Sequence, residues 1–263
     1  MKRNSISIVI LIFLSVVLSA CGPSPDTPAT LTVYAAASLT DAFTEIGRAF
    51  EAGHSGVSVV FNFGGSQNLR TQIEQGAPAD VFASANPNEM DTLVKQGFVT
   101  EEGPRIFLTN QLVVILPQDN PAGISSLEEL AKPGLKLVFA AEEVPAGRYA
   151  RQVLENLNSI FGTDFKDRVL ANVVSNEDNI RQAVTKVQLG EADGSIVYVS
   201  DAVAAPELGR IEIPAEANVI AEYPIAPVTG SAKTKLANDF IAHVLSLDGQ
   251  ATLEKWGFTP VFP

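Results

Sequence analysis

Residues 31–50 read LTVYAAASLTDAFTEIGRAF, an apolar run that passes through small residues into a helical pattern. The run at 31–36 is typical of a buried strand, and the alanine and Ser38 that follow it favour a short loop. Four apolar side chains then recur at helical spacing and share one face of a predicted helix: Leu39, Phe43, Ile46 and Phe50. Gly53 follows this pattern and predicts the end of the helix. The stretch therefore predicts a strand that leads directly into a helix.

The same order of strand, short loop and helix recurs along the chain. Predicted strands cover 57–63, 81–83, 112–116, 135–140, 173–174 and 195–199, and extended segments lie at 211–213 and 223–228. Predicted helices alternate with them: some end at Gly76, near Gly97 and at Gly190, and others carry the apolar residues of 150–157, 236–245 and 253–256. Strands that alternate with helices indicate an α/β fold with largely parallel sheets.

The length of the chain favours two lobes over one large sheet. We expect the chain to cross between the lobes near 111–114 and near 223–228, and its last helices to return to the first lobe. Lobe 1 is therefore predicted to comprise residues 31–112 and 223–263, and lobe 2 residues 113–222.

The N-terminus has the pattern of a secretory signal. Lys2 and Arg3 precede an apolar stretch at 6–18, which is shorter than the roughly 20 residues that cross a bilayer, although an uncleaved anchor is the alternative. The sequence Leu-Ser-Ala-Cys that ends at Cys21 resembles the lipobox of bacterial lipoproteins, and a single cysteine cannot form an internal disulfide. We therefore expect a signal peptide at 1–20, lipidation of Cys21 and a proline-rich tether at 21–30.

The charge balance excludes one class of partner. The chain has 18 basic and 30 acidic residues, and without Lys2 and Arg3 the balance is 16 against 30, a net charge of −14. Nucleic acid is an unsuitable partner, because phosphate backbones favour clustered Lys and Arg. A small anion would have to be held by local donors against a repulsive overall field.

Candidate donors for such an anion lie where strands end and helices begin. Ligands of α/β sheets bind at these junctions, and a helix start offers unpaired N–H groups and about half a positive charge. The candidate residues at these positions are Ser38, Ser66, Ala146, Ile180 and Tyr198.

Each candidate also has a purely structural interpretation. Ser38 fits an ordinary helix cap, and the glycines before Ser66 fit a tight turn. Ala146 follows a proline and fits a plain helix start, while Ile180 fits a core position. Tyr198 fits a buried tyrosine with a satisfied hydroxyl.

Several motifs occur together in one order: AAASL at 35–39, QIEQGAPADVFASA at 72–85, VPAG at 144–147, IVYVSDA at 196–202 and WGFT at 256–259. This combination, spread from residue 31 to the C-terminus, resembles the molybdate-binding proteins of bacterial ABC transporters. The resemblance implies a type II periplasmic-binding-protein fold with two lobes joined by crossing strands.

The resemblance also implies a ligand site and partners. Molybdate, and tungstate beside it, would be held without a metal or other cofactor by two serine hydroxyls, two amides and a tyrosine: Ser38, Ser66, Ala146, Ile180 and Tyr198. The family often has a serine cluster at the second serine, whereas this chain has GGSQ at 64–67. The implied protein is an exported, lipid-anchored monomer on the outer face of the membrane, which serves the permease and ATPase of an ABC transporter.

Other functions remain alternatives. An enzyme on the same scaffold lacks an evident grouping of serine, histidine and carboxylate, because His54 and His243 are far in sequence from the junctions. A metal-ion binder is disfavoured by one cysteine and two separated histidines. Binding of another oxyanion such as sulfate is a further alternative. The sequence also leaves open whether the Arg148 side chain faces the ligand or solvent.

Overall fold

The computed structural model describes residues 29–261. The predicted signal peptide at 1–20, Cys21 and most of the predicted tether lie outside the described residues. Ala29 and Thr30 pair with Val57 and Ser58 of the next strand, so the first strand begins at Ala29. The prediction that the tether extends to residue 30 is therefore wrong by two residues. Within 29–261, no helix is both long enough and apolar enough to cross a membrane.

Strands and helices alternate along the described chain. The strands are β1 Ala29–Ala36, β2 Val57–Gly64, β3 Val81–Ala83, β4 Arg105–Asn110, β5 Leu112–Leu116, β6 Leu137–Ala140, β7 Val173–Glu177, β8 Ser195–Tyr198, β9 Gly209–Glu212, β10 Ala221–Pro227 and β11 Thr259–Pro260. The helices are α1 Thr40–Gly53, α2 Ser66–Glu74, α3 Pro87–Lys95, α4 Pro145–Phe161, α5 Phe165–Leu170, α6 Ile180–Gln188, α7 Val199–Ala204, α8 Thr234–Val244 and α9 Leu247–Lys255, with 3-10 turns at Ala37–Leu39 and Leu127–Ala131.

Lobe 1 is built on a six-stranded sheet with the order β11-β4-β10-β3-β1-β2. Strand β1 pairs in parallel with β2 and β3, and β10 pairs antiparallel with β3 and β4. The predicted apolar face of α1 packs on this sheet, where the Phe43 ring centroid lies 5.7 Å from that of Phe107 and 6.0 Å from that of Phe240. Residues from both ends of the chain therefore share one core.

Lobe 2 contains a three-stranded sheet, β8-β5-β9, and a parallel pair, β6-β7. Strand β5 is antiparallel to both of its neighbours. The prediction of largely parallel sheets is therefore wrong. Strand β10 runs against β3 and β4 after the chain returns to lobe 1, and β8 and β9 run against β5 in lobe 2.

The chain changes lobe at two connections. Only Gln111 separates β4, in the sheet of lobe 1, from β5, in the sheet of lobe 2, and the return lies between β9 and β10. Asn218, on the return segment, accepts from Leu112 N at 3.0 Å and donates to Leu112 O at 2.8 Å. The two connections are thus tied together, which suits a hinge. The prediction that the chain returns near 223–228 is wrong, because β10 already lies in the sheet of lobe 1 from Ala221, and Leu112, predicted in lobe 1, begins β5 of lobe 2.

Most predicted elements are confirmed, and several short ones were missed. The helix-ending glycines have φ of +88° at Gly76, +78° at Gly97 and +70° at Gly190, the left-handed region that glycine favours. The sequence reasoning missed β4, β11, α5 and α7. Val199, predicted to end a strand, is the first residue of α7.

Candidate functional site

The five predicted site residues line one cavity between the lobes. Its lining is made of short loops and helix starts: Ala36, Ala37, Ser38, Gly64, Gly65, Ser66 and Ala85 from lobe 1, and Val144, Pro145, Ala146, Asn179, Ile180 and Tyr198 from lobe 2. None of these described lining residues has a charged side chain. The space open to the centre of a water molecule is about 10 Å³, which favours a compact ligand.

Ser38 lies in the 3-10 turn between β1 and α1. Its side chain makes no capping hydrogen bond to either helix start, so the helix-cap interpretation does not describe it. The buried Ser38 Oγ instead lies 3.0 Å from Tyr223 OH. Burial raises the pKa of Tyr223 well above its ordinary value, so Tyr223 keeps its proton. When Tyr223 donates to Ser38 Oγ, the Ser38 hydroxyl is free to donate into the cavity.

Ser66 is the first residue of α2, and its hydroxyl accepts a hydrogen bond from Ala85 N at 3.0 Å. This bond uses an oxygen lone pair and leaves the O–H of Ser66 to donate. The preceding Gly65 allows lobe 2 to approach closely, because a Cβ at this position would lie 2.4 Å from Asp178 O. The glycine therefore serves contact between the lobes rather than a tight turn alone.

The two amide candidates lie in the first turns of α4 and α6. Ala146 follows Pro145, the first residue of α4, and Ile180 is the first residue of α6. The Asn179 side chain caps α6 at Gln182 N, 3.2 Å away, and so does not use the Ile180 amide. In the described part of the chain neither the Ala146 nor the Ile180 N–H has a hydrogen-bond acceptor. Both helix starts therefore present free donors and a positive dipole end to the cavity.

Tyr198 ends β8 and is almost fully buried. Its hydroxyl makes no well-directed hydrogen bond among residues 29–261, although the Tyr223 hydroxyl lies near it, so the interpretation as a tyrosine with a fully satisfied hydroxyl does not describe it. Burial raises the pKa of Tyr198 well above its ordinary value, which keeps the group protonated and able to donate. An unpartnered buried O–H costs about 1–3 kcal/mol, and an anion in the cavity would offset that cost.

Three residues that sequence reasoning missed support these donors. The Tyr223 hydroxyl is hydrogen-bonded to Ser38 Oγ. Asp201 accepts a hydrogen bond from Tyr198 N at 3.3 Å, and Arg181 Nε lies 3.0 Å from Asp201 Oδ1. Burial raises the pKa of Asp201 to about 6, against the lowering effect of Arg181. Asp201 had a sequence signal, an acid at the third position of a helix, three residues after the capping residue Tyr198. Tyr223 is 185 residues from Ser38 and had none.

Arg148 does not line the cavity, although it follows the VPAG motif. Its side chain is 41% exposed, and its Nη2 lies 3.8 Å from Glu89 Oε1 on α3 in lobe 1. Glu89 is buried and is held by Arg70 Nε at 2.8 Å. Arg148 therefore faces a carboxylate of the opposite lobe.

The histidines lie together in lobe 1 and away from the cavity. His54 Nδ1 lies 2.8 Å from Phe50 O, and the His54 ring stacks on Phe50 with centroids 4.0 Å apart. The His243 ring lies 5.6 Å from the same phenyl ring. The part of the chain that the structure describes contains no group of three or more His, Cys, Asp or Glu residues arranged to hold a metal ion.

Comparison with known proteins gives a family and a fold. Residues 31–259 match the model of the family described as bacterial extracellular solute-binding protein. The chain is 38% identical over 251 residues to the molybdate-binding protein ModA of Mycobacterium tuberculosis strain H37Rv, with 92% of each chain covered. It is 31% identical over 231 residues to the putative ABC transporter substrate-binding lipoprotein YvgL of Bacillus subtilis strain 168, with 88% of this chain and 86% of the relative covered.

Solved structures show the same fold. The periplasmic molybdate-binding protein of Azotobacter vinelandii superposes with a TM-score of 0.76 at 22% identity, over 89% of this chain and 99% of that one. At this identity the likeness concerns the fold alone. It establishes the two-lobed architecture expected from the sequence.

Proposed function

This chain belongs to the family of bacterial extracellular solute-binding proteins, and on that premise we propose that it captures molybdate outside the cytoplasm and delivers it to an ABC transporter. The observation that carries the proposal is the convergence of neutral donors from both lobes on one small cavity. The names of its relatives support molybdate as the ligand.

The donors can offset the cost of association without a counter-cation. Two serine hydroxyls, two helix-start amides and one tyrosine hydroxyl face the cavity, and a hydrogen bond to a charged group contributes about 1.5–3 kcal/mol. Together they supply roughly 8–15 kcal/mol, which competes with an association cost of about 4–15 kcal/mol. The dipoles of α4 and α6 add to this attraction and act locally against the net negative charge of the chain.

Selectivity follows from the same donors. An oxyanion that keeps a proton near neutral pH, such as phosphate, is disfavoured because its proton finds no good acceptor in a site built from donors. Sulfate is smaller than molybdate and would leave some donors too far from its oxygens. Tungstate has nearly the size and charge of molybdate and should bind beside it.

Delivery follows from the two-lobed architecture. Closure of the lobes over the anion distinguishes the loaded state, which the permease and ATPase partners can recognise; hinge closure of periplasmic binding proteins is a standard example of such a transition. Lipidation of Cys21 would hold the monomer at the outer face of the membrane, in keeping with the lipoprotein named among its relatives. In this role the protein needs no cofactor and catalyses no reaction.

A thermal-shift comparison of molybdate, tungstate, sulfate and phosphate tests the ligand assignment. We expect molybdate and tungstate to raise Tm by several degrees at millimolar concentration, because a ligand that binds only the folded state stabilises it. Sulfate and phosphate should have little effect. Stabilisation by sulfate alone would favour the other-oxyanion alternative, and the absence of any shift would refute capture of these anions.

A further inference from the structure

Arg181 connects the two lobes beside the cavity. It is the second residue of α6 in lobe 2, and its Nη2 lies 2.6 Å from Asp41 Oδ2 on α1 in lobe 1. Its Nε lies 3.0 Å from Asp201 Oδ1 on α7 in lobe 2. One guanidinium thus holds a carboxylate of each lobe.

Both ion pairs are close but imperfectly aligned. The buried atoms Asp41 Oδ2, Arg181 Nε and Asp201 Oδ1 have no well-directed hydrogen bond within the described chain, despite the short separations. The attraction is therefore mainly coulombic. Because Asp201 is fully buried and the Arg181 side chain is 26% exposed, salt screens this attraction less than that of a surface pair.

Each member of this triad is close in sequence to a donor of the cavity. Arg181 follows Ile180 directly, Asp41 lies three residues after Ser38, and Asp201 lies three residues after Tyr198 and accepts its N–H. None of the three lines the cavity. The triad can therefore position donors of both lobes but does not touch the ligand.

We propose that Asp41, Arg181 and Asp201 form an interlobe clasp that holds the cavity closed around its anion. Asp201 fixes Arg181 on lobe 2, and Arg181 engages Asp41 when the lobes meet. Its charge is balanced by two carboxylates, so Arg181 acts as a positioning residue rather than as a counter-ion of the ligand. The identity of the anion in this inference rests on the proposed function.

Other contacts between the lobes are weaker than the clasp. Gln67 Nε2 donates to Asp178 O at 3.1 Å, a neutral contact, and Arg148 lies 3.8 Å from Glu89. The Asp41–Arg181 pair is both charged and short, so its loss should have the largest effect on closure.

The cleanest test is Asp41→Asn, because it breaks the charged arm between the lobes and leaves Arg181 paired with Asp201. Only the long hydrogen bond from Arg181 Nη2 to Ser38 O, at 3.4 Å, would still join Arg181 to lobe 1. Stopped-flow measurement of molybdate binding should show koff raised roughly tenfold with kon within about threefold of wild type, since losing a contact of the closed state speeds release. Asp164→Asn is the matched control, because it removes a 3.3 Å ion pair with Arg168 inside lobe 2, and it should leave both rate constants unchanged.

Arg181→Gln and the double variant Asp41→Asn/Arg181→Gln complete a cycle. The clasp predicts that the double variant releases molybdate no faster than Arg181→Gln alone, because the same contact is already lost. Additive effects would overturn the inference. An unchanged koff in Asp41→Asn would also overturn it. A change confined to kon would overturn it as well, because it would mean that the residue acts by long-range electrostatics on the approaching anion.

X-ray scattering of the anion-free protein separates failure of the clasp from failure of the proposed function. If wild type binds neither molybdate nor tungstate, the proposed function fails. The clasp is then tested by comparing the radii of gyration of the anion-free proteins. The Asp41–Arg181 pair forms in the structure without a bound anion, so the clasp should hold part of the anion-free population closed, and a larger radius of gyration for Asp41→Asn than for wild type and Asp164→Asn would then support it. Identical scattering curves would overturn it.

Discussion

Replacing Tyr198 by Phe removes one buried O–H that makes no well-directed hydrogen bond within the described residues, and this should change stability and affinity in opposite directions. Without ligand, the variant no longer buries an unsatisfied donor, a cost of about 1–3 kcal/mol, so its free energy of unfolding should equal or exceed that of wild type. With molybdate, the variant loses a hydrogen bond to a charged group. A loss of about 1.5–3 kcal/mol corresponds to a Kd weaker by roughly 10–150-fold.

Isothermal titration calorimetry gives the Kd, and urea unfolding of the ligand-free protein gives the stability. Tyr34→Phe is the matched control: Tyr34 is also buried, but it packs in lobe 1 away from the cavity and should leave Kd unchanged. Wild-type affinity in Tyr198→Phe would refute the role of this hydroxyl. A marked loss of ligand-free stability would show that the hydroxyl has a structural partner instead.

Ser38→Ala should weaken molybdate binding at least tenfold and also destabilise the fold by about 1–3 kcal/mol, because Tyr223 loses its buried partner; calorimetry and urea unfolding measure the two effects. Gly65→Ala should fold but bind molybdate weakly, since its Cβ would lie 2.4 Å from Asp178 O and keep the lobes apart. X-ray scattering should show no decrease in its radius of gyration when molybdate is added; a decrease like that of wild type would contradict the close contact between the lobes. Burial raises the pKa of Asp201 from 3.8 to about 6, so the folded state binds this proton more tightly than the unfolded state does. The contribution of Asp201 to the free energy of unfolding is therefore fully present below about pH 4. It falls by up to about 3 kcal/mol as the pH rises through 6. The difference in unfolding free energy between wild type and Asp201→Asn, measured in urea from pH 4 to 8, should show this loss, and a flat difference would contradict it.

The fold was largely predictable because its periodicity is strong. The bounds of β3 and β5 agree with the apolar runs, and glycines end the helices where expected. Strand β4 was missed because Arg105 and Asn110 bound it and a single residue separates it from β5, so no turn signal marks its end. The antiparallel pairings of β5 depend on where the chain returns, which local patterns do not encode.

The site was predictable only as a set of junctions. Strand ends and helix starts are visible in sequence, and parallel strands bring such junctions to one edge, but the family resemblance singled out Ser38, Ser66, Ala146, Ile180 and Tyr198. Their shared cavity agrees with that choice, while their contact with an anion stays a prediction. The contacts of Ser38 with Arg181 and with Tyr223 join residues 143 and 185 positions apart and leave no local signal.

Neutral donors of both lobes should hold the anion without a cation. A crystal structure with molybdate, with the metal located by its anomalous scattering, tests this most directly. The metal should lie in the cavity, with anion oxygens at hydrogen-bond distance from Ser38 Oγ, Ser66 Oγ, Ala146 N, Ile180 N and Tyr198 OH. Molybdate held by arginine or lysine side chains, or found outside this cavity, would contradict it.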